Sequence, residues 1–119
     1  MDDVLVWVGV GALGGLAALA RFLVDGFVAA RAATGFPIGT FAVNLSGVTI
    51  LGLLTGLALS GDQMLLVGTA VIGSYTTFST WMLETHRLAE LDQRALAVAN
   101  IVLSVTLGVL AAALGRAIA

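Results

Sequence analysis

The residues most able to bind an ion are concentrated in one short stretch, GSYTTFSTW at residues 73–81. The stretch combines a glycine with hydroxyl side chains and aromatic rings, and the residues before it are apolar. Hydroxyl groups donate hydrogen bonds to anions, and the positive edge of an aromatic ring also attracts negative charge. The sequence shows no nucleophile–base pair and no cluster of metal-ligating side chains, so we expect passage of a small ion and no catalysis.

The same stretch predicts a break in a membrane helix near residues 73–77. Non-helical backbone at membrane depth is tolerated where it is buried in protein or lines a polar cavity, and the carbonyls that it frees can hold Na⁺. A kink repaired by serine and threonine hydroxyls is the alternative. Phe78 and Trp81 lie three residues apart and share a helical face. These rings either pack in the core or turn their edges toward an anion.

Further polar residues lie within otherwise apolar stretches. Arg21, near the end of the first stretch, either extends to the lipid headgroups or places a cation at the mouth of an anion path. Asn44 either forms hydrogen bonds between helices or donates one to an ion. Asn100, Ser104 and Gly108 recur every four residues, which indicates a packing surface or a track of polar groups beside an ion path.

Composition places these residues in a membrane. Of the 119 residues, 60% are hydrophobic and 10% are charged, and the mean hydropathy is +1.10. A soluble domain is nearer half apolar and a quarter charged. The chain has no cysteine, which excludes disulfides, and its net charge of −2 argues against a nucleic-acid partner.

Four apolar stretches have the length of about 20 residues that crosses a bilayer: 4–24, 38–59, 64–83 and 95–118. The sequence therefore predicts an all-α membrane protein with a single four-helix domain over residues 1–119. Four helices leave little interior, so a polar pathway forms more easily between two copies of the chain than inside one.

Two other functions fit a small membrane protein. A small multidrug transporter has the same size, but it needs a carboxylate inside its first span, and the sequence has no Asp or Glu in the middle of any predicted span. A membrane subunit that serves only assembly explains Asn44 as a packing residue. It does not explain the polar residues clustered at 73–81.

Taken together, these motifs resemble the Fluc family of bacterial fluoride channels, also called CrcB. The resemblance is carried by GTFAVNLSG (39–47), by GSYTTFSTW (73–81), by Arg21 and by the N-x-x-x-S-x-x-x-G pattern that begins at Asn100. It extends over essentially the whole chain. It implies a passive, fluoride-selective channel that is not an enzyme and that exports fluoride across the bacterial inner membrane.

The resemblance also implies an assembly and a set of site residues. The channel would be an antiparallel homodimer of dual topology, with a structural Na⁺ held by the backbone carbonyls of Gly73 and Thr76 of each copy. Residues implied to line the fluoride pore are Asn44, Phe78, Trp81, Thr77, Ser79, Thr80, Ser104 and Arg21. Family members commonly have phenylalanine in place of Trp81 and often tyrosine in place of Asn100, so the pore wall differs at these two positions.

Overall fold

The computed structural model describes residues 2–32 and 35–119, and within them every regular element is helical. The all-α prediction is confirmed for these residues. In chain order the elements are α1 (Asp3–Arg31), α2 (Ile38–Thr55), α3 (Gly61–Gln63), a π-helix (Met64–Ile72), α4 (Gly73–Tyr75), α5 (Ser79–Glu90) and α6 (Arg94–Ile118).

Three of these helices, α1, α2 and α6, are long and apolar enough to cross a membrane. The third apolar stretch has a different form. Its helical backbone runs from Gly61 to Tyr75 through α3, the π-helix and α4, stops, and resumes as α5 at Ser79. The predicted break is therefore observed. It covers residues 76–78 and overlaps the C-terminal end of the predicted interval, 73–77.

Helix ends differ from the limits of the apolar stretches because local hydrogen bonds set them. α1 begins after Asp2, whose carboxylate accepts a hydrogen bond from the Val4 amide at 3.1 Å. It continues well beyond residue 24 to Arg31, whose guanidinium lies 3.6 Å over the Phe27 ring and donates to the Phe27 carbonyl. A cation in the last turn also offsets the helix dipole. Hydropathy alone marks where apolar residues end, and the helix extends further.

Helices α2 and α6 form the most extensive helix–helix contact among the described residues. At Gly52 an added Cβ would overlap the Ala112 carbonyl oxygen, and at Gly115 it would overlap the Thr49 carbonyl oxygen. Backbone atoms cannot move aside as a flexible side chain can, so glycine is required at both positions. We call this contact the glycine seam. Small residues four apart, here Gly52 and Gly56, allow membrane helices to approach this closely.

Two glycines with the same spacing in α1 make no such contact. If a Cβ were added to Gly11 or Gly15, no neighbouring atom would lie within 4 Å of it. Most of the surrounding surface of α1 is exposed and apolar, as expected for a helix that faces lipid or another chain.

Candidate functional site

The interruption of the third apolar stretch covers three residues, Thr76 to Phe78. Helical hydrogen bonding continues up to the Thr76 amide, which donates to the Ile72 carbonyl at 3.0 Å. Thr76 itself is extended, with ψ 161°. The Thr77 hydroxyl then accepts a hydrogen bond from the Thr80 amide at 3.2 Å. This is the contact by which a threonine caps the start of a helix. α5 begins two residues later, at Ser79.

Asn44 of α2 closes the interruption with a pair of hydrogen bonds. Its Nδ2 donates to the Thr77 carbonyl at 2.8 Å, and its Oδ1 accepts from the Thr77 amide at 2.8 Å. A residue that leaves a helix loses the hydrogen-bond partners of its N–H and of its C=O, and both groups need new partners. The Asn44 amide supplies both, and we call this pair the Asn44 clasp. It uses one of the two Nδ2 protons.

The diverted amides leave two carbonyls without their helical donors. In a continuous helix the Thr77 amide would donate to Gly73 O and the Thr80 amide to Thr76 O. Here these amides donate to Asn44 Oδ1 and to Thr77 Oγ1 instead. Gly73 is also exposed, with no atom within 4 Å of a built Cβ. The carbonyls of Gly73 and Thr76, predicted to hold a cation, are thus among those that lose their helical donors at the interruption.

An open groove of about 310 Å³ lies on one side of the clasp. Phe78 lies at this groove with 70% of its surface exposed, and its ring meets the Trp81 ring edge-on, with centroids 5.7 Å apart and an angle of 76°. The lining residues are Asn44, Val48, Thr76, Thr77, Phe78, Trp81, Ser104 and Val105. The structure therefore brings together residues from α2, the interruption, α5 and α6 that the sequence predicted for one pore.

A smaller cavity of about 140 Å³ also reaches Thr77. Its lining residues are Arg21, Phe22, Asp25, Thr40, Val43, Thr77 and Thr80. Arg21 and Thr80 thus share a cavity separate from the groove of Phe78, and Thr77 belongs to both. Ser79 is among the lining residues of neither cavity, and its hydroxyl lies 3.5 Å from Thr77 Oγ1.

Two residues of this region were not predicted as site residues. Thr40 is 1% exposed, and its hydroxyl lies beside the Glu84 carboxyl. The sequence signal was its position one helical turn before Asn44. Asp25 follows Arg21 by four residues, which places both on one face of α1.

Glu84 lies beyond the predicted third span, and one of its carboxyl oxygens is buried. Burial raises the pKa of this carboxyl above its ordinary value; the Thr40 hydroxyl beside it lowers the pKa, the Asp25 carboxylate raises it further, and Arg87 lowers it. Glu84 therefore binds a proton more readily in the folded chain than in the unfolded one.

The predicted polar stripe of α6 divides between two environments. Ser104 lines the groove, whereas Asn100 is 1% exposed and lies between α5 and α6. Its backbone carbonyl accepts a hydrogen bond from Trp81 Nε1 at 3.2 Å. The two positions that depart from the Fluc pattern are therefore in direct contact.

Comparison with known proteins identifies a family that this chain resembles. The family described as "CrcB-like protein, Camphor Resistance (CrcB)" matches residues 7–116. The protein named Fluoride-specific ion channel FluC 2 of Mycolicibacterium paratuberculosis is 58% identical over 119 residues, which cover 100% of this chain and 98% of the relative. Its namesake in Mycobacterium tuberculosis is 56% identical over 116 residues, 98% and 92% of the two chains. Fluoride-specific ion channel FluC of Acidobacterium capsulatum is 43% identical over 118 residues, 95% and 93% of the two chains.

Proposed function

This chain belongs to the CrcB-like protein family, and we propose that it conducts fluoride along the groove beside the Asn44 clasp. It is a fluoride channel of the membrane and not an enzyme, as its relatives' names indicate. The pore assignment, the assembly and the bound cation described below are proposals for this chain.

The observation that supports the pore most strongly is the convergence of several kinds of anion partner on one groove. Asn44 contributes an amide, Thr77 and Ser104 contribute hydroxyls, and the Phe78 ring is exposed beside them. Amide and hydroxyl protons donate to an anion, and a ring edge carries positive potential. None of the groove residues is acidic. Such a lining replaces the hydration of a small anion and offers little to a cation.

The proposed transport is passive. Fluoride enters a cell from acidic surroundings as neutral HF and is trapped as the anion near neutral pH. A negative interior then drives the anion outward by about 2.3 kcal/mol per 100 mV. A pore is sufficient for export across the bacterial inner membrane under these conditions, and no proton relay is required.

The groove supports a two-copy assembly. It is open along one side of the single chain, and a largely exposed Phe78 ring is an unfavourable end state for a residue of this size. We take the segments before and after the interruption as one further crossing, which gives four. A second, antiparallel copy would then close the groove and make a second equivalent pore.

The arginines give only a modest bias for one orientation. With four crossings, Arg31, Arg87 and Arg94 lie on one side of the membrane and Arg116 lies on the other. Orientation follows the distribution of Lys and Arg in short loops. Insertion in both orientations, as an antiparallel homodimer needs, fits so small an excess. Reporter fusions at the C-terminus should show both orientations, and a single orientation would count against this assembly.

The carbonyls of Gly73 and Thr76, whose helical amide donors bind elsewhere, fit a structural Na⁺. Carbonyl oxygens at a helix break are suitable Na⁺ ligands, and two copies would supply four of them. A bound Na⁺ would add positive charge between the copies. Replacing Na⁺ with a bulky organic cation should lower the melting temperature of the dimer, and unchanged melting would remove this site from the proposal.

Purified protein in liposomes tests the function directly. We expect rapid fluoride efflux and far slower chloride efflux under the same gradient. Comparable efflux of the two ions would contradict a selective pore. Efflux of neither ion from an intact dimer would favour the assembly subunit, and proton-coupled uptake of organic cations would favour the small multidrug transporter.

A further inference from the structure

A closed set of hydrogen bonds joins Trp81, Thr85 and Asn100 behind the groove. Trp81 Nε1 donates to the Asn100 carbonyl at 3.2 Å, and Asn100 Nδ2 donates to Thr85 Oγ1 at 2.8 Å. Thr85 Oγ1 donates in turn to the Trp81 carbonyl at 2.8 Å. The three residues therefore form a ring of bonds between α5 and α6 that begins and ends at Trp81.

The direction of each bond is fixed by the groups involved. A threonine hydroxyl has one proton, and here it points to the Trp81 carbonyl, so its oxygen is left to accept the Asn100 amide proton. Indole N–H and amide N–H can only donate. Thr85 and Asn100 are both buried, so water does not compete for these bonds. The set therefore has a single arrangement.

This arrangement fixes the indole ring of Trp81. Rotation of the ring about the Cβ–Cγ bond would remove the N–H from the Asn100 carbonyl and leave that half-buried donor without its partner, which is costly. The N–H side of the indole is therefore held toward α6, while the ring meets Phe78 edge-on and lines the groove. The orientation of Trp81 limits in turn the space open to Phe78.

We propose that Thr85 and Asn100 are positioning residues, which hold the Trp81 ring and thereby set the width of the groove at Phe78. This inference rests on the proposed function. Neither residue is among those that line the groove, so they act through Trp81. Simple packing between α5 and α6 is the competing explanation, and it predicts a loss of stability with no change in the pore.

Two matched substitutions separate these explanations. Thr85→Val keeps the size and branching of the side chain but removes the hydroxyl, whereas Thr85→Ser keeps the hydroxyl. We expect Thr85→Val to lower fluoride efflux per folded dimer by about tenfold, which as a free energy lies within the range of couplings between residues of one hydrogen-bond network. Thr85→Ser should stay within about twofold of the parent. Asn100→Leu, which removes the amide, should resemble Thr85→Val and serves if that variant does not fold.

Tryptophan fluorescence gives a readout that is independent of transport. The chain has two tryptophans, and Trp7→Phe leaves Trp81 as the only one. In that background we expect Thr85→Val to lower the fluorescence anisotropy of Trp81 and shift its emission, while Thr85→Ser leaves both unchanged. Because this measurement requires no ion flux, it tests the positioning role even if the wild-type protein fails to conduct fluoride.

The effect must also depend on the indole. In a Trp81→Phe background, a phenyl ring has no N–H to place, so Thr85→Val should change fluoride efflux by less than about twofold. A tenfold loss in that background as well would overturn the proposal, because Thr85 would then act without Trp81. Unchanged fluorescence and unchanged efflux in both Thr85→Val and Asn100→Leu would overturn it too.

Discussion

Helix α2 makes two contacts that differ in kind: one joins two backbones, and the other joins a side chain to a backbone. At the glycine seam with α6, side chains are absent and backbone meets backbone at Gly52 and Gly115. At the interruption, one long polar side chain, Asn44, replaces the missing helical partners of Thr77. At the first contact the two backbones touch directly, and the second borders an open groove. The seam thus stabilises the packing of α2 on α6, and the proposed conduction path lies at the interruption.

Adding a methyl group to the seam should have the largest effect on folding. In Gly115→Ala the new Cβ would overlap the Thr49 carbonyl oxygen, which cannot move without shifting α2. We expect a loss of about 3 kcal/mol in the free energy of unfolding, the upper end of the usual cost of overpacking. Thermal unfolding in detergent measures it.

Gly26→Ala is the matched control for that substitution. Gly26 has no atom within 4 Å of a built Cβ and lies in α1. Alanine should be neutral there or stabilising by up to about 1 kcal/mol through helix propensity. Equal destabilisation by both alanines would show that the seam holds no special constraint.

Removing the Asn44 clasp should have a smaller effect on folding and a severe one on transport. Asn44→Leu keeps an approximately similar size but leaves the Thr77 amide and carbonyl unpaired, at a cost of about 2 kcal/mol. We expect fluoride efflux to fall to background because the interruption loses its fixed shape.

Ser46→Ala is the control on the same helix. The Ser46 hydroxyl contacts the Tyr75 hydroxyl at 3.0 Å, before the interruption, in an exposed position. Its removal should cost less than about 1 kcal/mol and leave efflux unchanged. Full efflux in Asn44→Leu would contradict a role for the clasp in conduction.

The smallest expected effect concerns Glu84, beyond both contacts. Its pKa is raised above the ordinary value of 4.5 in the folded protein, so folding favours the protonated form and stability falls as pH rises through the raised pKa. Glu84→Gln should therefore be slightly more stable than the parent at pH 7, by less than about 1 kcal/mol because the carboxyl is partly solvated. The difference should disappear below pH 4.5, where the carboxyl is protonated in folded and unfolded chains alike.

Asp92→Asn provides the comparison for Glu84→Gln. Asp92 is exposed and has a positive φ of 58°, which asparagine adopts as readily as aspartate. Asp92→Asn and the parent should therefore melt at the same temperature. A pH-independent shift in Glu84→Gln would indicate a packing change in place of a titration.

The sequence predicted the helices and the break well because both follow from local chemistry. Apolar length indicates a membrane helix, and the polar run after Gly73 indicates an interruption. The position of the interruption depended on a residue distant in the chain: Asn44 diverts the Thr77 amide, and Gly73 to Tyr75 stay helical. The local sequence does not indicate which helix will supply the side-chain amide that binds Thr77.

The arrangement of the site residues was predicted less completely. Residue types alone group Arg21 with Phe78, whereas the structure places them in two cavities that meet at Thr77. Spacing alone predicts the same environment for Asn100 and Ser104. In the structure, Asn100 donates a hydrogen bond to the Thr85 hydroxyl of α5 and is buried. Both differences arise from contacts between helices, which the period of a single helix cannot specify.

Fluoride efflux from liposomes containing Phe78→Ile tests the division between seam and interruption most directly. Phe78 is exposed in the single chain, so isoleucine should leave the fold of each chain almost unchanged, and efflux is compared per folded dimer. We predict that the variant dimer folds normally and passes no fluoride above background. Efflux at the wild-type rate from a normally folded Phe78→Ile dimer would contradict the assignment of conduction to the groove.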